Sequence, residues 1–394
     1  MGPTQSTDGP KRRIRVVLVF YRDDASVGGS LRVGEAIAAG SDPSEVDLHL
    51  VFAYGAAGPV ASRTRWPCHF LGASGHKDFP KWRLVRRLMR ELKPDVVHFV
   101  DVVIWIYLAL TWAGYPRLTH WHGKALPRMH KGWRKALLLT RLIGRSATAN
   151  VFISESNRQN FLERGYAFPD RAFTVYNSVD TRSLSELPSR DASRSQLALP
   201  TEVKILGMFC RLVVWKGISE GLDILQQLPA DWHLAIAGDG PMRQELEEKA
   251  ASCGVRERVH FCGSVADMRV AYAAVDAYLF LSYYEPFDLV LMEAMAAGVP
   301  IFGVRAPGEH PDPGYPLYTG DNAILVLRSN PEFFSPPQPA DLAELAPRIR
   351  EFGEYPAQYA AMVQRARDWV TRRFDVRVQA QAMLGIYRQF IGSR

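Results

Sequence analysis

The sequence predicts a two-domain α/β protein in which each half is a doubly wound parallel sheet. Three observations carry that expectation. Short apolar runs alternate with segments of helical period twice over, 394 residues exceed what one core ordinarily holds, and a polar stretch rich in Ser, Arg, Asp and Pro separates the two series. In the first half, residues 14–21, 46–52, 95–100, 117–121 and 151–154 have the length and apolar content of strands, with helix-like segments between several of them. The second half repeats the scheme with residues 204–209, 233–237, 259–262, 277–281 and 299–304. Residues 181–200 lack an apolar period, and the last segment, 357–390, is helical in pattern. The expected division is residues 1–185 for the first domain, 186–200 for a linker, 201–370 for the second domain, and 371–394 for a helix that crosses back to the first. Two such domains facing each other would leave a ligand-sized cleft.

Apolar residues make up 47% of the chain, enough to fill both cores. No uninterrupted apolar run has the length of a bilayer span, and the longest, residues 102–110, fits a buried or interfacial element. The first ten residues are polar and unlike a secretory leader, so a cytoplasmic location is expected. Cys68, Cys210, Cys253 and Cys262 show no paired metal-ligand spacing and read as reduced structural thiols.

Charge is uneven. Residues 1–180 hold 26 Lys and Arg against 15 Asp and Glu, whereas the remainder holds 22 against 26. A basic half suggests an anionic partner: a membrane surface, a phosphorylated acceptor or a nucleic acid. The last has no reading motif to support it. Within residues 81–93, Trp82, Val85, Leu88, Met89 and Leu92 share one helical face with cations around the rest. Such a helix either lies on an anionic membrane, making the protein peripheral on the inner face, or covers a sheet with its cations outward.

The most informative stretch is Glu285-Pro286-Phe287-Asp288-Leu289-Val290-Leu291-Met292-Glu293. It ties one carboxylate to the end of the strand at 277–281 and a second to a helix over 289–297, which Gly298 and Pro300 end. Open parallel sheets bind ligands at strand carboxyl ends, so one carboxylate can meet a sugar and the other a ribose. Arg211 and Lys216 also follow a strand and precede a helix, where a forked guanidinium and a point charge can hold a diphosphate, or stand as solvated surface charges. Gly238 and Gly240 permit a tight turn. They read as structural punctuation, because the third glycine of a dinucleotide fingerprint is missing. Gly28-Gly29 would let a ligand approach the backbone ahead of a helix. His120 and His122 stand at a strand end with both imidazoles on one face. Further metal ligands are not evident there, and His122 is read as a hydrogen-bonding group near a reacting sugar.

These residues resemble the retaining GT-B glycosyltransferases of glycosyltransferase family 4. The resemblance is densest over residues 204–304, at Arg211 with Lys216-Gly217, at Ala237-Gly238-Asp239-Gly240-Pro241, at Val259-His260-Phe261-Cys262-Gly263, and at Glu285 with Glu293. The first half adds Gly28-Gly29, Pro94-Asp95-Val96-Val97-His98, His122-Gly123, Ser154-Glu155-Ser156 and Tyr176-Asn177-Ser178-Val179-Asp180. The resemblance implies two Rossmann-like domains across a cleft, with Glu285, His122, Lys216 and Arg211 catalytic. It implies donor contacts from Gly28, Gly29, Arg211, Lys216, Val265, Glu285, Phe287, Asp288, Leu289, Val290 and Glu293. Glu285 would contact the donor sugar, Glu293 the ribose, Arg211 with Lys216 the diphosphate, and His122 the transferred sugar. The leaving phosphate would take the acceptor's proton, and no metal or other cofactor would be needed.

Three departures stand out: Cys210 and Ser178 occupy places usually held by glycine, and Asp288 replaces the glycine common after Phe287. An aspartate beside a diphosphate repels it unless it points away or binds a sugar hydroxyl. The sequence therefore reads as a glycosyltransferase using a UDP- or GDP-sugar and a glycan, lipid-linked or small-molecule acceptor, in bacterial surface-polysaccharide or glycoconjugate assembly. The alternative is a nucleotide-sugar-binding protein of the same fold with impaired catalysis.

Overall fold

The computed structural model describes residues 12–24, 29–74, 80–111, 113–123, 133–283, 287, 289–305, 323–327 and 336–391. The chain divides into two compact units: Met1–Ser178 with Val376–Arg394, and Val179–Asp375.

The first unit is built on a seven-stranded parallel sheet of order β3-β2-β1-β4-β5-β6-β7. Its strands are β1 (Ile14–Arg22), β2 (Val46–Tyr54), β3 (Cys68–Ala73), β4 (Val96–Phe99), β5 (Arg117–Trp121), β6 (Ala149–Phe152) and β7 (Ala172–Thr174). Its first helices are α1 (Gly29–Gly40), α2 (Pro59–Arg63), α3 (Pro80–Leu92), α4 (Ile104–Ala109), α5 (Trp133–Ser146) and α6 (Glu155–Glu163). In β1 the alternation decides which core each residue joins. Val16, Leu18 and Phe20 pack with Leu31 and Ile37 of α1, while Val17 and Val19 pack with Val85 and Met89 of α3, residues of α4, and Ile143 of α5. A strand covered on both faces reads as an unbroken apolar run, which is why β1 was legible.

The second unit carries a six-stranded parallel sheet of order β10-β9-β8-β11-β12-β13. Its strands are β8 (Lys204–Phe209), β9 (Trp232–Ala237), β10 (Val259–Gly263), β11 (Ala277–Phe280), β12 (Ile301–Arg305) and β13 (Ile324–Leu327). Its helices are α7 (Thr181–Ser185), α8 (Arg190–Gln196), α9 (Ile218–Gln227), α10 (Arg243–Ser252), α11 (Met268–Ala274), α12 (Leu289–Ala297), α13 (Pro339–Glu354) and α14 (Ala360–Phe374). A last helix, α15 (Val376–Ile391), belongs to the first unit. It places Met383, Leu384, Ile386 and Tyr387 in the core that α1 shares.

Three expectations differ from what is observed. The segment read as a linker, 186–200, contains α8 and belongs to the second unit. Its anchor is Arg194, which is fully buried and donates to Asp276 Oδ2 (2.9 Å) and to the carbonyls of Ala274, Thr201 and Val203. A buried cation with that many acceptors satisfies its charge without an apolar period to announce it. The strand expected at 151–154 ends at Phe152, because Ser154 instead caps α6, its Oγ accepting from Asn157 N. The apolar face of α3 is not open to a membrane. Val85 and Met89 are about 1% exposed, with Trp82, Leu88 and Leu92 packed on the same core, so the helix covers the sheet and turns its cations outward.

The four cysteines are free thiols, half-buried, and burial pushes the Cys262 thiol up to about 11. Ser178, a departure from glycine, has a partner: its hydroxyl donates to Gln379 Oε1 of α15 at 2.6 Å. Among the described residues no helix is long and apolar enough to cross a membrane.

Candidate active site

In the second unit the candidate groups lie on loops at the carboxyl ends of neighbouring strands, the ligand-binding end of a parallel sheet. The loop after β8 is stitched to the loop after β9. Cys210 N donates to Ala237 O at 2.9 Å, Leu212 N to Asp239 O at 3.0 Å, and Met242 N to Leu212 O at 3.2 Å. Gly238 and Gly240 make this approach possible, since a Cβ on either would strike the backbone of Cys210 or Leu212. Their role is structural, in keeping with the sequence reading.

Arg211 is exposed on the first of these loops, its guanidinium 6.0 Å from the Trp215 ring centroid. Val214–Lys216 then forms a single 3-10 turn, closed by Gly217 at φ 69° and ψ 24°, which is also the N-cap of α9. A side chain at Gly217 would be strained by that φ and would collide with the Leu281 carbonyl. From the other side Tyr283 N donates to Trp215 O at 3.1 Å. Lys216 therefore sits on a turn clamped against the segment that follows β11.

That segment leads into α12. Phe287 is buried and packs its ring 5.8 Å from Phe374, fixing the approach to the helix. Leu289 and Val290, in the first turn, are half-buried. Glu293 is half-buried one turn in, and its Oε2 accepts from the Tyr272 hydroxyl at 3.0 Å; the same hydroxyl lies 3.1 Å from Val290 O. Val265 is half-buried on the loop between β10 and α11. Gly28, Glu285 and Asp288 lie outside the described residues.

Two groups here had no signal in the sequence reading. Tyr272, on α11, holds Glu293, yet in an alanine-rich helix it reads as one more core aromatic. Glu220, in the first turn of α9, has a buried Oε2 without a hydrogen-bond partner among the described residues. Burial raises its pKa, and burial together with the Glu220 charge pushes the Tyr283 phenol up to about 12.

In the first unit Gly29 opens α1, with no atom of the described residues within 4 Å of where a Cβ would stand. His122, just past β5, has Nε2 2.8 Å from Val100 O. A carbonyl only accepts, so Nε2 carries the hydrogen and neutral His122 is left with Nδ1 as an acceptor. Behind it the rings stack in series. His122 and His120 have centroids 4.8 Å apart, His120 and His98 5.4 Å, and His98 Nδ1 lies 2.8 Å from the Tyr387 hydroxyl. Alternation along β5 does put His120 and His122 together, as the sequence implied. Burial lowers the pKa of all three, to about 3 for His98 and well below 6.5 for His120; at His122 the Val100 carbonyl and Asp101 oppose the shift. Neither ring nitrogen of His120 has a hydrogen-bond partner among the described residues. The same residues contain no group of three or more His, Cys, Asp or Glu able to hold a metal ion.

A chain of two doubly wound parallel sheets, with its last helix returned to the first, has the architecture of the GT-B class. Comparison with known proteins identifies it further. The model for Glycosyltransferase Family 4 matches residues 27–183 and that for Glycosyl transferases group 1 matches residues 189–312. The chain belongs to the GT-B glycosyltransferases of this family. It is 31% identical to the lipopolysaccharide core biosynthesis glycosyltransferase LpsE of Rhizobium meliloti, over 36% of this chain and 40% of that protein. It is 30% identical to the D-inositol 3-phosphate glycosyltransferase of Xylanimonas cellulosilytica, over 56% of this chain and 52% of the relative. The chain spans about half the length of the curated relatives it matches. Its fold is that of HepE from Anabaena, whose crystal structure holds UDP-glucose (TM-score 0.75, 22% identity, 96% of this chain and all of the other).

Proposed function

We propose that this protein transfers a sugar, with retention of configuration, from a UDP- or GDP-sugar to a glycan, lipid-linked or small-molecule acceptor in surface-polysaccharide or glycoconjugate assembly. The observation that carries the reading is the clamped turn of the second unit. It sets Lys216 and Arg211 at the strand carboxyl ends beside the amino terminus of α9, where backbone amides add to the attraction for a diphosphate. The relatives named for lipopolysaccharide assembly and the neighbour holding UDP-glucose support the donor class and the pathway type.

In this reading Arg211 and Lys216 stabilise the negative charge that grows on the departing nucleoside diphosphate, and positive charge grows on the sugar carbon at the same time. Glu285 contacts the donor sugar hydroxyls, Glu293 the ribose, and Gly28, Gly29, Val265, Phe287, Asp288, Leu289 and Val290 complete the donor contacts. His122 presents Nδ1 as an acceptor to a hydroxyl of the transferred sugar. The leaving phosphate takes the acceptor's proton, and the two cations do the work that a metal does elsewhere. The protein works in the cytoplasm or on the inner face of an anionic membrane, reached through its basic half. Release of nucleoside diphosphate across a panel of UDP- and GDP-sugars, with and without EDTA, tests the reading. One donor should turn over at a rate EDTA leaves unchanged; tight donor binding with no release would instead favour an impaired binding protein.

A further inference from the structure

The cations of α3 are only part of the outer layer of the first unit, and the apolar part of that layer lies elsewhere. Helices α3, α4 and α5 cover one face of the sheet, since all three contribute to the same core. They are tied edge to edge: Arg86 Nε of α3 donates to Ala109 O of α4 at 3.1 Å, and the Tyr107 hydroxyl of α4 lies 2.9 Å from Ser146 Oγ of α5. On α5, Ile143 is buried at 6%, yet Leu138 and Leu142, one turn apart, are each 56% exposed. On α4, Ile104 and Leu108, also one turn apart, are 39% and 43% exposed, and Leu84 of α3 is 40% exposed. These five are most of the eight large apolar side chains exposed among the described residues, so their concentration on one three-helix layer is not the usual scatter.

The charge around them is predominantly positive. Helix α3 carries Lys81, Arg83, Arg86, Arg87 and Arg90 against Glu91 alone, α4 carries no charge, and α5 carries Arg134, Lys135, Arg141 and Arg145 with no acidic residue. Apolar rows on α4 and α5, with cations on the flanking helices, match an anionic bilayer: leucines enter the acyl boundary and arginines and lysines reach the headgroup phosphates. A protein partner would need acidic side chains spaced to meet each cation, whereas a lipid surface supplies diffuse negative charge and hydrocarbon together.

We propose that the outer layer of α3, α4 and α5 docks this protein on an anionic lipid surface, with Leu138 and Leu142 of α5 and Ile104 and Leu108 of α4 as the inserted row. This deepens the membrane part of the proposed function and corrects its placement, because the apolar face of α3 is used up on the sheet. Docking rests on this layer alone and is read without any donor or acceptor, so its failure and the failure of sugar transfer are separate results.

The test is flotation of the full chain with phosphatidylcholine vesicles, with and without phosphatidylglycerol. Binding is expected only with phosphatidylglycerol and should weaken as salt is raised. The Leu138→Ser, Leu142→Ser pair should lower the partition coefficient by about tenfold or more. The Lys135→Glu, Arg141→Glu pair should lower it by at least about fivefold for each cation lost. All four positions are solvent-facing, and an unchanged melting temperature together with unchanged release of nucleoside diphosphate from the donor in the presence of a soluble acceptor would show the variants are folded. The proposal is overturned by equal binding to both vesicle types, by no binding to either, or by leucine variants that float like the unaltered protein. It is overturned equally if those variants convert a dimer to a monomer without changing vesicle binding.

Discussion

At the carboxyl ends of its strands the first unit presents imidazoles, and the second presents a guanidinium, an ammonium and carboxylates. His98, His120 and His122 are stacked and shifted by burial toward the neutral form. Arg211 stays exposed, and Glu293 is half-buried and tethered by one tyrosine. The contrast follows from how each group is held. The histidines sit on the strands themselves or one residue beyond, where both faces are covered and a charge would be expensive. The cations sit on loop and turn residues outside the sheet, where loop-to-loop hydrogen bonds fix the backbone and leave Arg211 exposed and Lys216 half-buried. Within each unit the environment thus sets the chemistry: neutral hydrogen bonding from the buried imidazoles of the first, and positive charge from the loop cations of the second.

The comparison breaks most sharply at Lys216. If charge on the second unit drives departure of the leaving group, Lys216→Ala should cut kcat by about a hundredfold to a thousandfold, the effect of removing a preorganised electrostatic donor. Glu285→Ala should be as damaging. Donor binding should survive in both variants, measured by calorimetry with a non-transferable donor. Near-normal turnover in either variant would remove the proposed role of that residue. Failure of donor binding together with a lowered melting temperature would show that the turn had been lost, and not only the charge.

What the sequence made legible follows the same division. Buried strands announce themselves as apolar runs, so β1, β8 and β11 begin where the runs begin. Helix α12, bounded by Gly298 and Pro300, spans the expected residues. Strand β3 is hidden because Cys68-His69-Phe70-Leu71-Gly72-Ala73 has neither a full apolar run nor strict alternation, and β7 because it has only three residues. Near the candidate site, the placement of Arg211, Lys216 and Gly217 between a strand and a helix was readable, since glycine and charge after a strand are local signals. Tyr272, Glu220 and Arg194 were not. Each is defined by a partner 21 to 82 residues away, or by a buried carboxylate oxygen without a hydrogen-bond partner among the described residues, and no window of sequence contains that information.

Acid should separate the two units next. A histidine whose folded pKa is depressed resists protonation in the native state, while the unfolded chain titrates near 6.5. The stability it contributes is therefore complete above about pH 6.5 and is lost as the pH falls toward the folded value, about 3 for His98. The second unit has its own imidazole pair, His233 Nδ1 and His260 Nε2 at 2.9 Å, but both are partly exposed and their shifts are smaller in consequence. Amide hydrogen exchange between pH 7 and 4 should show β4 and β5 losing protection before β8 and β9. The reverse order, or simultaneous loss, would show that the buried histidines do not set the acid limit of the first unit.

The mildest expected effect concerns Tyr272. Its hydroxyl reaches Glu293 Oε2 and Val290 O, so Tyr272→Phe removes a positioning hydrogen bond and adds no charge or bulk. Glu293 is half-buried and can recover a water in its place, which limits the loss to about 1 kcal/mol. If Glu293 contacts the donor ribose as proposed, that contact is made equally before and during transfer, so the loss should appear as a rise in donor KM of about fivefold with kcat nearly unchanged. A merely structural tyrosine would lower the melting temperature and leave KM alone. A fall in kcat at constant KM would mean that Glu293 acts on the reacting centre, and would move it from the nucleotide side of the site to the chemical one.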